Sequence, residues 1–74
     1  MHINFQLSQV ANNRWRVGAQ TLEDASHLAQ KITVEGFPCT EVRQRDGSHP
    51  FYFDVEGDVE RIQPLLENTF ADKS

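Results

Sequence analysis

The stretches 15-WRVGAQTLEDASHLA-29 and 51-FYFDVEGDVERIQPLL-66 decide the fold, because each reads as a strand, a Gly-containing corner and an amphipathic helix. Trp15 answers Phe51, Val17 answers Phe53 and Ala19 answers Val55. After a one-residue adjustment, Ala25 answers Ile62, Leu28 answers Leu65 and Ala29 answers Leu66. A solenoid needs about three units to bury a continuous core. Two copies instead imply one compact unit with internal pseudo-symmetry.

Working outward, Ile3, Phe5 and Leu7 alternate with Asn4, Gln6 and Ser8, the period of a half-buried strand. Asn12-Asn13 tolerates left-handed backbone and predicts a tight hairpin into Arg14–Val17. Trp15 and Val17 share one face, Arg14 and Arg16 the other, and Gly18 breaks the run. Thr21 is an N-cap candidate with Asp24 at the capping-box position. Leu22, Ala25, Leu28, Ala29 and Ile32 make one helical face, with Glu23, His27, Gln30 and Lys31 opposite. Gly36 can end this helix in a left-handed conformation, with Phe37 folding back on the last turn.

Residues 38–45 read as a third strand, which cannot be central at its start because Pro38 lacks an N–H. Asp46-Gly47 signals a turn. Phe51, Phe53 and Val55 then face inward while Tyr52, Asp54 and Glu56 face away. Asp58 is the expected cap of a second helix with the stripe Val59, Ile62, Leu65, Leu66 and Phe70. Pro64 should kink that helix or delay its regular part.

The predicted architecture is α+β, ββαββα: a four-stranded antiparallel sheet in the order 1-2-4-3 with two helices on one face. It is a ferredoxin-like sheet whose usual last strand comes from the N-terminus. A single domain is expected over residues 1–70, with a fraying tail at 71–74.

Bulk composition narrows the function. The 74 residues are 38% hydrophobic and 24% charged, enough for a small core. No run approaches the ~20 apolar residues of a membrane helix. The N-terminus alternates polar and apolar residues and lacks the build of a secretory signal, so a cytoplasmic location is expected. The net charge of −4, from 7 Lys and Arg against 11 Asp and Glu, disfavours nucleic-acid binding by phosphate neutralisation. The lone Cys39 cannot form an internal disulfide and fits a reducing compartment.

The motifs Trp15-Arg-Val-Gly18, the Ala/Leu-rich helix, Gly36-Phe37-Pro38 and the second strand-Gly-helix unit, with Phe53 and Gly57 near repeated family positions, resemble the SPOR (sporulation-related repeat) domain family. The resemblance spans Trp15 to about Leu66. It implies a helix-free sheet face that binds peptidoglycan glycan strands stripped of peptides. The chain departs from the family in three respects. Gln20 stands where an aromatic usually follows the first Gly, these 74 residues read without the family's final strand, and an export signal or anchor, which cell-wall binding requires, is not expected from them.

The helix-free face is expected to carry Asn4, Gln6 and Ser8, then Arg14 and Arg16, then Tyr52, Asp54 and Glu56, then Glu41, Arg43 and Arg45. Its plain reading is a cross-strand ion-pair ladder that solubilises the face and pins register, at ~0.2–1 kcal/mol per pair. Its sharper reading is a recognition surface built on Gln6, Arg14, Arg16, Arg43, Tyr52 and Asp54, since Tyr and Arg are common interface anchors. An RNA-binding sheet would carry two or three stacking aromatics, and this one has a single Tyr.

The acidic alternation Asp54, Glu56, Asp58, Glu60 fails as a calcium loop, because Val59 and Leu65 fall where Gly and a carboxylate are needed. His2, His27 and His49 share no metal-ligand spacing; His27 reads as solvated and His49 lies in the turn before strand 4. No metal, cofactor or catalytic residue is expected. Cys39 reads as a small strand residue, and Trp15 and the phenylalanines as core. The expectation is a non-catalytic module, monomeric or weakly homodimeric, that contacts a protein partner through the sheet face as a regulator or inhibitor. Glycan-strand binding in the SPOR manner is the alternative.

Overall fold

A computed structural model of the chain describes residues 4–69. The elements run β1 (Phe5–Ala11), β2 (Arg14–Ala19), α1 (Leu22–Val34), β3 (Arg43–Gln44), β4 (Phe51–Glu56) and α2 (Val59–Glu67). The four antiparallel strands form one sheet in the order β1-β2-β4-β3, as the sequence predicts. Ile3, Phe70 and the tail at 71–74 lie outside the described residues.

The repeated halves explain the centre of the sheet. Strands β2 and β4 pair Trp15 with Val55, Val17 with Phe53 and Ala19 with Phe51. These are the residues that correspond between the two copies, and each pair maps onto another when the copies are exchanged. A pseudo-two-fold therefore passes beside Val17 and Phe53. From β2 the chain enters α1 and from β4 it enters α2, and both helices pack on one side. Their buried residues Ala25, Leu28, Ile32, Ile62 and Leu66 join Val17, Ala19, Phe53 and Val55 in one core. Both helices thus cover the Val17/Phe53 face of the sheet and leave the other face free of helix.

Local chemistry fixes the ends. Asn13 takes a φ of 57° in the β1–β2 hairpin, where Asn is among the few side chains that tolerate left-handed backbone. The Thr21 hydroxyl accepts from the Asp24 N–H at 3.1 Å, and an Asp58 carboxylate oxygen accepts from the Glu60 N–H at 3.0 Å. Each cap satisfies an otherwise orphaned helix N–H. At the end of α1, Gly36 N–H donates to Thr33 and Phe37 N–H to Ile32, which satisfies the last carbonyls. Phe37 then packs against the corner after β4. A Cβ on Gly57 would stand 2.6 Å from Phe37 Cδ1, and Gly57 has a φ of +149°. Only glycine fits there.

Three expectations are corrected. The third strand does not run from Pro38 to Arg45. Cys39 bridges Val55, the chain leaves the ladder, and it rejoins at Arg43 opposite Tyr52. The two pairings differ by one residue in register, so Cys39 and Val42 both pack on the core. Inside this slip Thr40 substitutes its side chain for backbone: its hydroxyl accepts from Asp54 N–H at 2.8 Å while its own N–H donates to Asp54 O at 2.8 Å. Leu22, expected on the buried stripe, is 54% exposed because it opens the helix before the stripe meets the sheet. His27, expected to be solvated, is half-buried, with its Nδ1 enclosed and without a hydrogen-bond partner among the described residues.

Pro64 sits inside α2, which continues through it to Glu67. Its ring is on the exposed side, and its carbonyl accepts from both the backbone N–H and the side-chain amide of Asn68, at 3.0 and 2.9 Å.

Candidate functional site

Register alone lays out the helix-free face. Gln6 lies opposite Gly18, Gly18 opposite Tyr52 and Tyr52 opposite Arg43. Ser8 lies opposite Arg16 and Arg16 opposite Asp54. Arg14 faces Glu56 in the last row. Directly opposed residues share a face, so Gln6, Arg14, Arg16, Arg43, Tyr52 and Asp54 all stand on one side of the sheet.

Contacts pick out a subset. Arg16 reaches Asp54 through two bonds, Nε–Oδ1 at 2.9 Å and Nη2–Oδ2 at 3.4 Å. This fork is the geometry in which a guanidinium meets a carboxylate best. The two side chains are 32% and 20% exposed, so the pair is sheltered but not dry. The hydrogen bonds that Arg16 donates to the Asp54 carboxylate hold its guanidinium above its usual pKa, against partial desolvation. By contrast Arg14 and Glu56 meet at a single 3.4 Å contact with both side chains about half exposed. That pair lies at the weak end of surface ion pairs, ~0–1 kcal/mol.

Tyr52 is the focus. The Arg16 guanidinium carbon lies 4.7 Å from its ring centroid and that of Arg45 lies 5.1 Å away. Arg16 arrives from the β2 side and Arg45 from the β3 side. Each cation–π contact is worth ~0.5–1 kcal/mol at such a site. Arg43, the direct cross-strand neighbour of Tyr52, is exposed and is not the residue that stacks. Among the described residues neither Arg43 nor Arg45 meets a carboxylate in a salt bridge. Asp54 is spoken for by Arg16, so the face has two neutralised cations at one end and two uncompensated ones around Tyr52. Gln6 is exposed at the β1 margin with no side-chain hydrogen bond among the described residues.

Sequence reasoning missed what lies over Gly18. The loop between β3 and β4 closes with Arg45 N–H donating to Pro50 O at 2.8 Å. It folds back so that a Cβ on Gly18 would meet His49 Cβ at 3.1 Å and His49 O at 3.3 Å. Gly18 is consequently buried although its missing side chain would point away from the helices. His49 has a φ of 54°, and among the described residues neither of its enclosed ring nitrogens has a hydrogen-bond partner. The Gly18 end of the face is therefore roofed; beside it Tyr52, Arg16 and Asp54 are half-buried, and Arg14 at the far end is exposed. The available signal was a glycine on the outward side of a strand, which marks close approach by another backbone.

No family model, no curated protein and no solved structure matches this chain.

Other chemistry is sparse. Among the described residues no cluster of three His, Cys, Asp or Glu side chains could hold a metal ion. Among them no helix is long and apolar enough to cross a membrane. Cys39 is half-buried on the core side, its Sγ directed at the carbonyls of Phe37 and Ala29 at 3.6 and 3.8 Å. Burial pushes its thiol pKa up, partly opposed by a hydrogen bond with Thr33.

Proposed function

We propose that this chain is a small, non-catalytic cytoplasmic binding module. It contacts a protein partner through the helix-free sheet face and acts as a regulator or inhibitor. The observation that supports this reading is Tyr52, flanked by Arg16 and Arg45 on a face that neither helix covers. The Asp54 fork fixes Arg16, and Arg16 in turn limits the tyrosine, so the patch loses little side-chain freedom on docking. Preorganised Tyr and Arg anchors contribute most of the energy in typical interfaces. The uncompensated Arg43 and Arg45 favour a partner that brings carboxylates beside an apolar contact for the ring.

The experiment replaces both Arg16 and Tyr52 by Ala, verifies folding by circular dichroism, and compares capture from native lysate with the unaltered chain. Partners retained by the unaltered chain should drop out with the variant. Equal recovery would eliminate the face as the contact surface. Glycan fragments stripped of peptide form a parallel arm. Chemical-shift changes at Tyr52 and Arg16 with the glycan, and none with captured protein, would replace the protein partner by the SPOR-like ligand.

A further inference from the structure

The two edges of the sheet are built differently. On one side β3 has only Arg43–Gln44 and is flanked by Pro38, a register slip and the charged Glu41 and Arg45. Short length, proline and charge are the ordinary protections of an edge against pairing. On the other side β1 runs Phe5–Ala11 as FQLSQVA, with no charge and no proline. Its one irregularity is a bulge at Val10, between the Gln9–Trp15 and Ala11–Arg14 pairs.

We propose that β1 is a homodimerisation edge, where a second copy of this chain adds its own β1 antiparallel about a two-fold at Leu7. The register follows from the faces. Phe5, Leu7 and Gln9 lie opposite Ala19, Val17 and Trp15 on the helix side, whereas Gln6 and Ser8 lie opposite Gly18 and Arg16 on the other. A two-fold at Leu7 sets Phe5 against Gln9 of the second copy, Leu7 against Leu7 and Gln6 against Ser8. Every pair keeps to one face. A two-fold at Ser8 fails, because the bulge turns Ala11 to the Arg14 side and Phe5 would meet it from the wrong face. The Leu7 register gives the longest face-matched overlap within β1 and stops where the bulge begins.

Side-chain chemistry agrees. Phe5 and Leu7 touch the core but remain half-buried, so the helix side of this edge has apolar surface left to cover. The opposite side would bring together only neutral amides and hydroxyls. With a net charge of −4 per chain, a neutral strand is where two copies approach with least repulsion. The product is an eight-stranded sheet whose two Tyr52 faces lie on the same side, and it stands independently of what those faces bind.

Sedimentation of the purified chain from about 10 µM to about 1 mM reads the association. The wild type should pass from 8.5 kDa to twice that mass within the range. Gln6→Lys combined with Ser8→Lys places like charges opposite each other twice and should weaken the dimer roughly tenfold or more. Gln6→Lys combined with Ser8→Glu makes the same two contacts complementary and should restore it. Both positions are exposed, and circular dichroism verifies that each variant folds. A wild type that stays at 8.5 kDa throughout overturns the proposal, as does equal association of the two variants. Failure of the charge-swapped variant to recover would overturn the Leu7 register.

Discussion

Replacing Gly18 by Ala tests the roof over the sheet through the sign of a stability change. Left to itself, Gly→Ala within a strand stabilises by about 0.5–1 kcal/mol, because glycine loses more backbone freedom on folding. Here the new methyl would stand 3.1 Å from His49 Cβ and 3.3 Å from His49 O. Neither atom is the far end of a flexible side chain. The loop is pinned by the Arg45–Pro50 hydrogen bond and by the left-handed backbone at His49, so it cannot yield by rotamer change alone. Overpacking of this kind costs about 1–3 kcal/mol, which exceeds the entropic gain. We expect Gly18→Ala to lower stability by about 1 kcal/mol, a fall in Tm of about 4–8 °C for a domain this size.

His49→Gly supplies the control. It removes the Cβ that would collide and relieves the left-handed strain, so Gly18→Ala should be milder in that background. Urea denaturation of the two single variants and the double gives the coupling, expected near 1 kcal/mol. A stabilising Gly18→Ala whose effect is the same with and without His49 would mean that the loop does not rest on the sheet.

Two further outcomes follow from the packing. Gly57→Ala combines backbone strain at φ +149° with a Cβ only 2.6 Å from Phe37. The two effects total about 2–6 kcal/mol against the ~3–5 kcal/mol that so small a core rarely exceeds, so its circular dichroism melt should begin below room temperature. Cys39 should react with iodoacetamide more slowly in the folded chain than in urea, since burial raises its thiol pKa and the reactive form is the thiolate. Because the folded pKa is raised, the stability linked to this thiol is fully present below its unfolded pKa and is lost as pH rises through the folded pKa. Urea midpoints measured across that alkaline range provide the check.

The helices and the central strand pair were legible because each has strong local cues. Thr21 and Asp58 cap, Gly36 terminates, and Trp15/Val17 and Phe51/Phe53/Val55 alternate. Strand order followed from handedness and the duplicated unit. The third strand was not legible, because its break is decided at a distance. Cys39 and Val42 both reach the core only if the chain slips a residue against β4, and the Thr40 hydroxyl makes the slip tolerable. No period in residues 38–45 announces that. The candidate face was legible as a set of residues but not as contacts. Alternation puts Arg43 and Arg45 on it equally, and the irregular path after β3 brings Arg45 to the Tyr52 ring. The fold of the His49 loop onto Gly18 and the Val10 bulge were equally tertiary outcomes.

The proposed function requires that binding use the Tyr52 side of the sheet and not the helical side. The most direct measurement sets the Arg16→Ala/Tyr52→Ala chain beside a chain altered at Ser26 and Gln30, two exposed α1 positions, in the same capture from native lysate. The account predicts that partners vanish with the first and are fully recovered with the second. The reverse pattern, loss with the α1 variant and recovery with the sheet variant, would contradict it.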